Sequence, residues 1–318
     1  MGTRRWISLI SAFTAGIFIA LQGRLNGGLS MLIGNGFEAA LVNFGSGLVI
    51  LVFIVLLVPS VRRGVVRIPA AIRDGELNRW QILGGLIGGA FIGVQSIAIP
   101  IVGVAVFTVA VVAGQSTNSL FVDKVGLGPA GKQPITWNRA ISALLAVAAV
   151  AVAVSDRFTS GGVSLIVVAV TFVVGLGLAV AVQQALNGRI SFAAGSPLSA
   201  TFYNFVFGTA LLAAAFGVAW AITDTDPGAL IGGPWWAYSG GVVGVVFIAV
   251  AAWTVPILGV LVFALVSIAG QLSGALLLDV AAPTASTNVG WHLVAGVVLA
   301  FIAVAMGASG RLRTRRSP

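Results

Sequence analysis

The sequence predicts an all-α polytopic membrane protein, with ten transmembrane helices arranged as two inverted five-helix repeats. Three observations carry that prediction. Apolar residues make up 58% of the 318-residue chain and charged residues only 8%, for a mean hydropathy of +1.09. The basic residues fall almost wholly between alternate apolar runs. The chain also repeats itself at a nearly constant displacement. A soluble fold covers its surface with about a quarter charged residues. This chain cannot do so, and its outer face must meet lipid.

A bilayer core of about 30 Å takes about 20 apolar residues in a helix. Runs of that kind lie near residues 6–25, 38–58, 80–99, 101–122, 137–155, 163–186, 198–222, 235–254, 257–278 and 290–308. The first follows Arg4-Arg5, as a signal peptide would, but Leu21-Gln22-Gly23-Arg24 offers no small-residue cleavage site, so it reads as a retained span. The second opens at Glu38 and stops at Pro59. From Trp80 to Val122 there is no charged residue, and this stretch makes about 65 Å of helix, or two spans, divided near Pro100. The fifth run opens at Trp137, the sixth ends before Arg189, and the seventh follows Pro197. The run from Trp235 to Leu278 divides near Pro256, and the tenth opens at Trp291. The segment from Pro59 to Arg79 reads as the longest charged loop. β-barrel spans are excluded because they alternate polar and apolar residues.

Of 17 Lys and Arg residues, ten spans with an inside N-terminus leave only Arg24 and Arg157 outside, with Asp224 and Asp226. That is the asymmetry of the positive-inside rule. It places the chain in the cytoplasmic (inner) membrane with both termini cytoplasmic. Merging either proline-divided run would invert everything after it. The tail after residue 310, Arg-Leu-Arg-Thr-Arg-Arg, can touch anionic headgroups. The basic charge is therefore spread along a membrane face, and no nucleic-acid partner is expected. All eight tryptophans lie near span ends.

The repeat is specific. Gln22-x-x-x-Asn26 recurs as Gln183-x-x-x-Asn187, and Asn43-Phe44 as Asn204-Phe205, displaced by 161. Further on the displacement is 156, where Gly84-Gly85, Gly88, Pro100, Gly114-Gln115 and Asp123 meet Gly240-Gly241, Gly244, Pro256, Gly270-Gln271 and Asp279. The expected units are 1–157 and 158–310, with 311–318 as a basic tail. Five spans per unit is odd, so the second unit would enter the membrane from the opposite side. Many secondary transporters have that arrangement.

The phrases Gln22-x-x-x-Asn26, Gly114-Gln115 and Asp123-Lys-Val-Gly-Leu-Gly-Pro resemble the YdcZ-type branch of the drug/metabolite transporter superfamily, in its fused two-repeat form. The second half departs from the pattern, since Asp279-Val-Ala-Ala lacks the trailing glycine. The resemblance implies an all-helical inner-membrane protein of inverted five-helix units that moves small molecules. Small multidrug relatives carry a glutamate in their first helix, whereas Phe13–Ile19 holds no acid.

Polar side chains inside a membrane are costly and point to function. Gln22 and Asn26 share a helix face, being four apart. By span depth, Gln22, Asn26, Asn43 and Gln271 should cluster toward the outer side, and Gln183, Asn187, Asn204 and Gln115 toward the inner side. The expectation is a pathway lined by amides. Packing glue between helices is the alternative for each residue. Asp123 and Asp279 should lie at span ends and cap a helix or pair with a base, with Lys124 beside Asp123. Glu38, whose copy is Ser199, is the candidate for proton or cation coupling. His292 opens the tenth span and reads as interfacial. The row Gly85, Gly89, Gly93 and the pair Gly240, Gly244 should let helices approach closely.

The expected function is a secondary transporter, an exporter of a small organic solute by alternating access, as monomer or homodimer and without cofactor. The alternatives are a channel-like protein or a non-transporting membrane scaffold or sensor. With no cysteine and one histidine, thiolate catalysis, a Cys- or His-based metal site and a Ser-His-Asp triad are excluded, so no enzyme is expected.

Overall fold

The computed structural model describes residues 3–128, 131–132, 134–155, 163–223, 233–258, 260–283 and 289–314. Arg157, Asp224, Asp226, Arg315 and Arg316 therefore lie outside the described residues. Among those described are eleven α-helices and no strand. They are α1 (Thr3–Ile33), α2 (Gly36–Leu57), α3 (Pro59–Arg73), α4 (Gly84–Val102), α5 (Val104–Val125), α6 (Trp137–Ala153), α7 (Val163–Ala194), α8 (Pro197–Thr223), α9 (Gly240–Leu258), α10 (Val260–Ala281) and α11 (Trp291–Thr314). Short 3-10 turns, Arg79–Leu83 and Trp235–Tyr238, lead into α4 and α9. Seven helices among the described residues are long and apolar enough to cross a membrane, and α6 and α11 supply shorter apolar segments.

Local chemistry sets the ends. Gly34 takes φ +77° after α1, and the Asn35 side chain accepts hydrogen bonds from the Phe37 and Glu38 amides to cap α2. The division expected near Pro100 falls at Gly103, whose φ of +83° suits glycine. Pro100 remains inside the last turn of α4.

The segment from Pro59 to Arg79 is not a loop throughout, which corrects the sequence reading. Its first part is α3, with Pro59 at its start. Val61, Gly64, Ile68 and Ala71 share one buried face against α7 and α8, while Arg62, Arg63, Arg67 and Arg73 are exposed. The Ser199 hydroxyl of α8 donates to the Val61 carbonyl at 2.9 Å. The apolar spacing that makes this helix is sparse, and the arginines hide it in the composition.

Glycines let α1 and α10 cross backbone to backbone, and a Cβ on Gly270 would run into the Phe13 carbonyl. Residues 13, 17 and 24 of α1 meet 270, 274 and 279 of α10, so these helices run parallel. The same crossing joins α5 and α7, where a Cβ on Gly114 would run into the Val174 carbonyl and Asn118 donates to Leu178. The main apolar core forms around α5, whose residues from Val104 to Gly114 are all buried. The outside is apolar as well, with Phe172 and Leu144 about 70% exposed, and all eight tryptophans are exposed. An apolar exterior around buried amides and glycines is the distribution that a lipid solvent selects.

Candidate functional site

Two amide clusters lie inside the bundle. In the first, Asn43 Nδ2 donates to Asn26 Oδ1 at 2.6 Å and Gln22 Nε2 to Asn43 Oδ1 at 3.4 Å. Asn26 Nδ2 in turn donates to Gln95 Oε1 on α4 at 2.9 Å. All four side chains are buried. Three hydrogen bonds link the four amides, which offsets part of the cost of burying them in a membrane.

The second cluster repeats the central bond. Asn204 Nδ2 donates to Asn187 Oδ1 at 3.3 Å. Gln183 lies beside them, because a Cβ on Gly88 would come within 2.5 Å of Gln183 Nε2 and 2.6 Å of Asn204 Oδ1. Here Asn204 is buried, while Gln183 and Asn187 are half-buried.

Each cluster is covered by glycines from the other half of the chain. Gly240 of α9 lies on Asn43 and Asn26, and Gly244 on Gln22. Gly84 and Gly88 of α4 lie on Asn187, Gln183 and Asn204. A side chain at any of these glycines would fill the space next to the amides. The helix α4 serves both clusters. Its glycines cover the second, and Gln95, seven residues or about 10 Å further along, bonds the first. Phe44 stacks on its own repeat copy Phe205, with ring centroids 4.5 Å apart. Gly47 faces Phe205 and Gly208 faces Phe44 in the reciprocal contact.

Gln115 and Gln271 do not enter these hydrogen-bond chains as the sequence reading placed them. Their backbone amides lie at the glycine crossings, Gln271 N at 2.8 Å from a Cβ on Gly16 and Gln115 N at 3.1 Å from one on Gly177. The α1–α10 crossing is centred six residues before Gln22, so Gln271 meets α1 about 9 Å short of the amides. Gln95 takes the place that Gln271 was expected to hold. It escaped the sequence reading because its repeat position holds Ala251. The single amide within residues 82–114 was the available signal.

The acids sit at helix ends. Asp279 is buried and accepts from the Val104 and Ala105 amides at 3.3 and 2.8 Å, capping α5, with Arg24 at 3.9 Å. Asp123 pairs at 2.5 Å with Arg139 rather than with the neighbouring Lys124. Glu38 is buried in the first turn of α2, behind the Asn35 cap. His292 stacks on Trp291 at the start of α11.

A family model described as "Putative inner membrane exporter, YdcZ" matches residues 7–152 and again residues 168–306. No curated protein and no solved structure matches the chain.

Proposed function

The chain belongs to that inner-membrane exporter family, matched along both of its halves, and from this premise we propose that it is a secondary transporter that exports a small organic solute by alternating access. Ten helices span the membrane in two inverted units, α1, α2, α4, α5 and α6 against α7 to α11, with α3 lying at the membrane surface. The parallel pairs α1–α10 and α5–α7 support the inversion. Asp279, near the end of α10, caps the start of α5, while the end of α7 lies by the end of α5. The later halves of α1 and α7 therefore point to opposite ends of α5, as antiparallel copies would.

The observation that carries the transport reading is the exchanged cover. Each half's amides are closed by the other half's glycines, so sliding one half on the other would uncover one cluster while the second stays closed. Uncovered amides offer both donors and acceptors without net charge. They suit neutral or zwitterionic solutes. Neither cluster contains a carboxylate, and Glu38 is the acid left for proton or cation coupling. Gln115 and Gln271 stand beside the crossings on which such sliding would turn.

The test is flux of candidate solutes in liposomes, after a thermal-shift screen of the purified protein. Asn26→Leu, Asn187→Leu, Gln115→Leu and Gln271→Leu should each reduce flux about tenfold or more, the effect of about 1.4 kcal/mol. Full flux in all four would refute an amide-lined pathway. Because the chain has no cysteine, single cysteines at 26 and 187 can also report sidedness, and labelling both from the same side of the membrane would refute the inversion.

A further inference from the structure

We propose that Arg24 and Arg189 are gate latches, one at each end of the bundle, an inference that rests on the alternating-access reading. The Arg24 guanidinium on α1 donates to the Ala282 carbonyl, one residue beyond the end of α10. Arg189 on α7 donates to the Leu127 and Gly126 carbonyls at 2.6 and 2.8 Å, just beyond the end of α5. The last carbonyls of a helix lack partners within it and carry partial negative charge, so a guanidinium binds there strongly.

Positions 126 and 282 are repeat copies, displaced by 156. The two arginines are not copies of each other. The copy of Arg24 is Ala185, and the position matching Arg189 in the first half is Gly28. The arginines stand one helical turn apart in repeat register and so on the same helix face. A contact inherited through duplication would have kept its position. Here the same carbonyl is reached from a different turn in each half, so the clamp itself is what the two halves share. Each clamp also joins opposite halves, α1 to α10 and α7 to α5. One sits where Asp279 caps the start of α5, the other at the far end of that helix, about 33 Å away.

Latches placed in this way hold one end closed while the other opens. Two reporters test this on the full chain in oriented vesicles, read with a membrane-impermeant maleimide. Ala20→Cys lies one turn inside Arg24, and Ala185→Cys one turn inside Arg189, and both positions are buried. Arg24→Ala should raise labelling at position 20 about tenfold and lower it at position 185, and Arg189→Ala should do the reverse. Arg24→Lys and Arg189→Lys, which keep the charge, should give intermediate labelling and serve where an alanine variant does not fold. Equal rises at both reporters, or no rise at either, would overturn the proposal. If each latch opens its own end but never closes the other, the latches stand and the alternating-access reading fails.

Discussion

The amide cluster of α1 and α2 and its copy on α7 and α8 use the same residue types 161 positions apart, yet they differ in tightness. The central Asn–Asn bond measures 2.6 Å in the first and 3.3 Å in the second. The first is buried and extended by Gln95, while the second is half-buried, and Ala251 holds the repeat position of Gln95 in the sequence. The acids diverge in the same way. Asp279 is approached by Arg24 from the other half, and its copy Asp123 by Arg139 from its own half. Duplication placed these amides and acids, and the neighbours that changed afterwards set how firmly each is held.

Four experiments probe that contrast. The largest effect belongs to the glycine crossings, where the halves match. Gly114→Leu and Gly270→Leu should each lower unfolding stability by about 3 kcal/mol through overpacking against a backbone carbonyl, read by thermal melting in detergent. A mild effect at only one of them would show that the crossings are not equivalent.

The clusters should then differ. Asn26→Leu removes the bonds that Asn43 Nδ2 and Gln95 Oε1 make to Asn26 and should cost about 2 kcal/mol, whereas Asn187→Leu should cost about 0.6 kcal/mol. Equal costs would mean that the difference in bond length has no energetic meaning. Gln95→Ala should remove about 1 kcal/mol and bring the first cluster near the second, and denaturant unfolding measures it. Smallest is the aromatic pair. A double-mutant cycle of Phe44→Leu and Phe205→Leu should give a coupling of about 0.5 kcal/mol, with similar costs for each single change.

The spans were legible because a membrane helix announces itself in composition, and the described helices follow the runs to within a few residues at most ends. The α1 helix was underestimated, since Gln22 and Asn26 lower the local hydropathy without interrupting the backbone. The central six amides were legible because repetition marks them. Gln95 carries no repeat signal, and α3 disguises four apolar contacts among arginines. Span depth alone placed Gln115 and Gln271, but depth does not tell which side of a helix a residue occupies, and the glycine at each crossing decides it.

The Phe44–Phe205 stack has a consequence for how such a chain changes over time. Where a residue touches its own counterpart, an unfused ancestor would have altered both partners with every mutation at that codon. Joining the copies in one polypeptide removes the constraint, and the sequence around one ring can drift while the other is retained. A linked pair can therefore evolve unequal affinities on its two sides, which a symmetric assembly of identical subunits cannot do.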